Sequence, residues 1–266
     1  MPRKLEKNDA AFDWPELRNG LRNRAEDEVK LLSLQTEVQK KPLTAKDMVR
    51  LANQIAETAY GKGVTAEMRQ KYLLKYGCTA WTKDVIEELV AVGSGRGFVE
   101  IGCGNGQWAR KISETFLAKD QTSMNNDFEI VLAFDDYSAV PINPNAFGGR
   151  SKSNEAIKEY FYSNVQVGDQ NTAFGLNNQV TPAYGRVLLL IFPGPDDMAI
   201  KSLQKYVNQG QKNDYLVYVG EGRGGANANE EFFDFLENQN WVLENVFGLD
   251  PIGNGFERAF FFRRFK

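Results

Sequence analysis

Phe98-Val-Glu-Ile-Gly-Cys-Gly-Asn-Gly106 is the stretch on which the reading of this chain turns. A short apolar strand runs into a turn with glycine at 102, 104 and 106, and Gln107 to Phe116 then carries a helical pattern. Glycine at such a turn permits positive φ and lets a ligand touch the backbone. The start of the following helix offers N–H groups to a ligand carboxylate. The spacing bears on which ligand. A dinucleotide fingerprint, G-x-G-x-x-G, counted from Gly102 would need its third glycine at position 107. That position holds Gln107; the third glycine comes one place early, and the strand carries an acid, Glu100.

Outward from this loop the texture alternates between helix and strand, the signature of a parallel α/β sheet. Thr82 caps a helix through Val92, and Gly93 to Gly97 turns into the first strand, Phe98 to Ile101. Further strands are expected at Glu129 to Phe134, Asn164 to Val167, Arg186 to Phe192 and Tyr215 to Gly220, with helices at Met198 to Asn208 and Glu230 to Glu237. Two late strands, Trp241 to Phe247 and Glu257 to Phe262, have no helix between them, so the sheet should finish antiparallel. Ser113 to Asp127 and Pro141 to Glu159, rich in Asn, Ser, Gly and Lys, read as surface insertions or as an extension of the preceding helix. Residues 1 to 77 read as a charged helical extension and residues 78 to 266 as the α/β domain. In the extension, Phe12, Trp14, Leu17 and Leu21 share a helical face and Val29, Leu32 and Val38 continue it. Thr44 to Asp47 forms a capping box for a helix through Met48, Leu51 and Ile55, and Thr65 caps another through Tyr72. This block is expected to pack against the domain, with a helical lid as the alternative.

Composition removes several chemistries. The 266 residues contain no histidine, which excludes Ser-His-Asp and Cys-His catalysis and histidine metal sites together. Two cysteines, Cys78 and Cys103, with no CxxC, make neither a disulfide framework nor a zinc site, so no metal is expected. The formal charge of -3 argues against a nucleic-acid partner, which normally calls for a basic field. Met1 to Lys7 lacks an apolar core of a leader, and Val187 to Phe192 is too short to span a bilayer. A cytoplasmic protein with no membrane association is the expectation.

Glu100-Ile-Gly-Cys-Gly-Asn-Gly-Gln-Trp-Ala-Arg110 resembles motif I of the class I S-adenosylmethionine-dependent methyltransferases. With Leu188-Leu-Leu-Ile-Phe-Pro193 and Val217-Tyr-Val-Gly-Glu-Gly-Arg-Gly-Gly225, it is similar to a poorly characterised methyltransferase-like group, over roughly Cys78 to the C-terminus. The resemblance implies a Rossmann-like, mostly parallel seven-stranded sheet with helices on both faces and an antiparallel last strand. It implies S-adenosylmethionine as cofactor. Gly102 and Gly104, with Cys103, Asn105 and Gly106 in the same loop, would approach its methionine part, and Glu100 would hold the ammonium end. Asp135, with Asp136 beside it, stands where an acid binds the ribose hydroxyls. Asp169 and Gln170, after the third strand, stand where the adenine amino group is met.

The acceptor is less marked. Phe192-Pro-Gly-Pro-Asp-Asp197 follows the fourth strand, where some aminomethyltransferases carry Asn/Asp-Pro-Pro-aromatic. The departure from that motif speaks against an adenine or glutamine amide acceptor. Phe192, Pro193, Asp196 and Asp197 remain candidates to line the pocket. Glu221 and Arg223, in the loop after the fifth strand, are candidates to bind an acceptor or act as base, or else to pair with each other and fix the loop. The expected function is methyl transfer to a small molecule or protein side chain. The alternative is a non-catalytic methyltransferase-like fold acting as an interaction module, and a nicotinamide enzyme is a third reading. The sequence does not specify an oligomeric state.

Overall fold

The computed structural model describes residues 3–4, 12, 27, 29–34, 36, 43–119, 128–138, 159–175 and 180–265. The strands are β1 (Arg3–Lys4), β2 (Phe98–Ile101), β3 (Val131–Asp135), β4 (Val165–Val167), β5 (Val187–Ile191), β6 (Tyr215–Gly220), β7 (Trp241–Gly248) and β8 (Arg258–Arg264). The helices with both ends described are α1 (Ala45–Tyr60), α2 (Ala66–Tyr76), α3 (Lys83–Gly93), α4 (Gln107–Lys119), α5 (Gln170–Phe174), α6 (Met198–Asn208) and α7 (Glu230–Asn238).

The sheet runs β1-β7-β8-β6-β5-β2-β3-β4. Strands β4, β3, β2, β5 and β6 are mutually parallel, whereas β8 is antiparallel to both β6 and β7. The fold is therefore the expected Rossmann-like one, mostly parallel with an antiparallel last strand. The short β1, which pairs antiparallel with β7, adds an eighth strand that the sequence did not suggest.

Period-two alternation sorts the strand residues onto two covered faces. Val99, Ile101, Leu188, Leu190, Leu216 and Phe262 face α5, α6 and α7, with Phe174, Leu203 and Phe233 against them. Phe98, Val131, Val187, Leu189, Val217 and Phe261 face α3 and α4, with Leu89, Trp108 and Ile112 opposite. At the end of the parallel strands away from their carboxyl termini, the buried Arg186 guanidinium donates to the carbonyls of Pro182 and Glu129 at 2.9 and 2.6 Å. It ties the floors of adjacent strands together and leaves their carboxyl ends free to build a site.

Caps explain the helix boundaries. Thr44 and Asp47 form the anticipated capping box of α1, and the Thr65 hydroxyl accepts from the Met68 N–H to start α2. The extension departs from its reading further upstream. Phe12 sits in a turn, buried against Phe233, Phe260 and Phe262 with ring centroids 5.0 to 5.8 Å apart. Its partners on the expected face, Trp14, Leu17 and Leu21, lie outside the described residues, as does Val38. Val29 and Leu32 are in helical backbone but 67% and 63% exposed, so they do not continue a buried face. Of the two insertions, residues 113–119 extend α4, while 120–127 and nearly all of 141–159 lie outside the described residues.

Candidate functional site

A crevice of about 500 Å³ opens at the carboxyl ends of β2, β3, β4 and β5. This is where an open α/β sheet binds ligands, because strand order reverses between β2 and β5 and the flanking loops diverge. Its floor is Glu100 to Asn105, one wall is Asp135 and Asp136 with Gly168 to Gln170, and the opposite wall is Ile191 to Met198. Leu73, Tyr76, Gly77 and Cys78 close the remaining side. The crevice wall thus draws on residues to either side of position 77. Two interactions hold α2 there. The Gln107 side-chain amide donates to the Leu73 carbonyl at 3.1 Å, and the Tyr72 hydroxyl donates to the Asp250 carbonyl at 2.8 Å.

Glu100 is the most unusual residue of the floor. Its place in β2 puts it on the face of Phe98, and it is 1% exposed. Its Oε2 has no hydrogen-bond partner among the described residues. Burial, with the neighbouring Asp135 carboxylate adding to it, pushes its pKa up to about 8. A buried carboxyl group left in this state is costly unless something binds it.

The glycine loop works differently from the expectation. Gly102, Gly104 and Gly106 all have positive φ, +74°, +59° and +72°. The N–H groups of Gly102 and Cys103 both donate to the Phe134 carbonyl, at 2.9 and 3.1 Å. The Gly104 N–H donates to Asp135 Oδ2 at 2.6 Å. Those three amides hold the loop to the end of β3 rather than standing open to a ligand. Gly106 does not line the crevice. A Cβ there would come within 2.5 Å of Tyr162 Cβ, so this glycine serves the packing of the segment before β4 against the loop.

The adjacent acids separate by the same test of who binds them. Asp135 is buried and accepts from the Tyr137 N–H through Oδ1 at 2.6 Å, as well as from Gly104. It braces the loop. Asp136 is exposed and lines the crevice, and its Oδ1 accepts only from the Ser138 N–H among the described residues. Asp169 lines the crevice too, but its carboxylate caps α5, taking the N–H groups of Asn171 and Thr172 and the Asn171 side-chain amide. Gln170 stands beside it as the first residue of that helix.

After β5, Phe192 has φ +51°, an uncommon conformation for a bulky side chain, and lines the crevice with Pro193. Asn227 locks this turn: its side-chain amide donates to the Pro193 carbonyl at 2.9 Å and its Oδ1 accepts from the Glu221 N–H at 3.0 Å. Asn227 lines the crevice and went unnoticed in the sequence, where nothing distinguishes it from other loop asparagines. Asp196 Oδ1 accepts from the Met198 N–H at the start of α6, and Asp197 pairs with Lys201.

Two expected participants are absent from the crevice. Glu221 is buried, and its Oε2 accepts from the Ala226 N–H at 2.8 Å, bracing its own loop. Arg223 turns away toward α7 and meets Glu230, Asp234 and Glu237, with its guanidinium 5.4 Å from the Phe233 ring centre. The anticipated Glu221–Arg223 pair is not among these contacts, because three carboxylates on one helix face outcompete one that is already hydrogen-bonded.

The electrostatics are one-sided. Among the described residues six carboxyl groups line the crevice, Glu100, Asp135, Asp136, Asp169, Asp196 and Asp197, against one cation, Lys201. Among the described residues no three metal-ligating side chains converge on a point. No helix among them is long and apolar enough to cross a membrane.

No protein-family model matches the chain, and no curated protein does. Solved structures of similar architecture do. A Streptococcus pneumoniae protein provisionally described as a tRNA (m1A22) methyltransferase, crystallised with S-adenosyl-L-methionine, is 13% identical, with 69% of this chain and 74% of that one covered and a TM-score of 0.40. Magnesium protoporphyrin IX methyltransferase from Synechocystis PCC 6803, with the same ligand bound, is 12% identical over 68% and 77%, with a TM-score of 0.40. A variant of MtNAS is 13% identical over 99% and 83%, with a TM-score of 0.38.

Proposed function

We propose that this protein binds S-adenosylmethionine in the crevice and transfers its methyl group to an acceptor. The observation that carries the reading is Glu100, a buried carboxyl group with an unpartnered oxygen at the base of an acid-lined crevice, directly before a loop that resembles motif I. A sulfonium nucleoside with an α-ammonium group supplies the positive charge this surroundings calls for. A dinucleotide would bring a pyrophosphate beside the carboxyl groups that the described residues place in the crevice, so the electrostatics weigh against a nicotinamide cofactor in the same direction as the misplaced third glycine.

In this reading Glu100 holds the ammonium end, and the small residues Gly102 to Gly104 leave room for the methionine chain. Asp136, rather than Asp135, takes the ribose hydroxyls, since Asp135 is engaged by two backbone amides. Gln170 faces the adenine edge, and Phe192 and Pro193 provide apolar wall. When bound, the nucleoside supplies a methyl group already activated by its sulfonium. The chain's own task is then alignment and exclusion of water, and no general base is required unless the acceptor must lose a proton. The engagement of Glu221 and Arg223 in structure is compatible with this.

Calorimetric titration with S-adenosylmethionine, S-adenosylhomocysteine and NADH tests the reading. Binding of the first two and not of NADH is expected. Binding of NADH alone would overturn it.

A further inference from the structure

Resting on that reading, we infer that Asn227 is a positioning residue for the nucleoside: its side-chain amide holds Phe192 in the strained backbone conformation in which that residue walls the crevice. Among the described residues, four that are not glycine have positive φ. Asn240 is of a type that tolerates it. The other three stand at the crevice. Tyr137 (φ +56°) lies between the lining residues Asp136 and Ser138, Phe192 (φ +51°) is in the wall itself, and Ala228 (φ +54°) directly follows the lining residue Asn227. Backbone held in this region gathers where a ligand is handled, and it persists only when the surroundings over-determine it.

At Phe192 the over-determination comes from β6 and the loop after it, which pin three successive residues of the turn. The Phe192 N–H donates to the Val219 carbonyl at 2.7 Å, the Asn227 side-chain amide donates to the Pro193 carbonyl at 2.9 Å, and the Ala228 N–H donates to the Gly194 carbonyl at 3.0 Å. Only the middle pin is a side chain, so only that one depends on which residue stands there. Asn227 is itself fixed, 1% exposed, with Oδ1 accepting from the Glu221 N–H. Gly220 makes the approach possible: a Cβ there would come within 2.9 Å of Asn227 Cβ. Without the middle pin, Phe192 is free to relax to negative φ and carry Pro193 with it. The wall then exists in only a fraction of the molecules, and the apparent affinity for the nucleoside falls by that fraction.

The test is a double-mutant cycle read as S-adenosylhomocysteine affinity by calorimetry on the full chain. Asn227→Ala should weaken binding about tenfold. In a Phe192→Gly background the same substitution should cost less than about twofold, because glycine takes positive φ without strain and has no ring to place. A merely structural role for Asn227 would cost the same in both backgrounds. Glu221→Ala, which loosens the same loop but keeps the Glu221 N–H that Asn227 accepts from, should bind within about threefold of the unaltered protein. Should Asn227→Ala fail to fold, Gly220→Ala carries the test: its Cβ displaces Asn227 and should weaken binding about threefold, again only where Phe192 is present. The inference is overturned if Asn227→Ala or, in its stead, Gly220→Ala binds like the unaltered protein, if the loss persists undiminished in Phe192→Gly, or if Glu221→Ala matches it. If the unaltered protein does not bind S-adenosylhomocysteine, the proposed function falls first, a result distinct from any of these.

Discussion

Glu100 and Glu221 are both 1% exposed, and both stand where a parallel strand runs into a glycine-rich loop. Their surroundings differ in one respect. The loop after β6 curls back so that the Ala226 N–H donates to Glu221, whereas the loop after β2 gives its amides to the Phe134 carbonyl and to Asp135, and none to Glu100. Burial alone therefore does not mark a functional acid. In the proposed reading, what marks it is a desolvated carboxyl group that the fold leaves for a ligand to satisfy.

The largest effect expected from this difference is on pH dependence. The folded-state pKa of Glu100, about 8, lies above its ordinary value of 4.5. Between those values the folded chain holds a proton that the unfolded chain has released, so the ligand-free protein should lose stability as pH rises from about 4.5 to about 8. The loss should be on the order of a few kcal/mol, and Glu100→Gln should flatten it. Denaturant unfolding across that range measures both; an unchanged slope in the variant would remove Glu100 as the cause.

Substitution should then separate the two glutamates. Glu100→Gln is expected to weaken S-adenosylhomocysteine binding about thirtyfold, the scale of a lost charge-assisted hydrogen bond, while leaving the neutral-pH fold at least as stable. Glu221→Ala should do the reverse, lowering stability by about 2 kcal/mol through the unsatisfied Ala226 amide and the lost packing, with little change in affinity. Equal effects on affinity from both would erase the distinction. Gly106→Ala tests the neighbouring claim that this glycine serves packing. Strain at φ +72° and the approach to Tyr162 should cost about 2 kcal/mol of stability, read from a shift in denaturation midpoint. The smallest effect belongs to Arg223→Ala, about 1 to 2 kcal/mol, because Glu230 and Asp234 are on the surface and only the buried Glu237 carboxylate loses a partner that matters.

The same contrast explains what was legible in the sequence. β2, α6 and β6 appear at their expected residues because apolar periodicity and flanking glycines fix where regular elements begin and end. The five residues of α5 escaped notice because a single turn has no periodicity; only its cap, Asp169, carries a signal, and that acid reads equally well as a ligand. Phe12 was assigned to a helical face by spacing, yet it is buried in a turn by contact with aromatic residues more than two hundred positions away. In the site, residue type nominated Glu100, Asp135, Asp136 and Glu221 alike. Which of them meets a backbone amide depends on the path of a loop through three dimensions, and no local spacing encodes that path. For the same reason Asn227 and Tyr76 were missed: each reaches the crevice through the fold, not through a motif.

The central claim is that the unpartnered Glu100 carboxyl group receives the ammonium end of a sulfonium nucleoside or its thioether product. Titration of the protein with S-adenosylhomocysteine near neutral pH, repeated in buffers of different ionisation enthalpy, measures it directly. The predicted result is binding accompanied by release of most of one proton, absent in Glu100→Gln, as the cationic group draws Glu100 into its ionised form. Binding with no proton release, or with the same release in the variant, would contradict it.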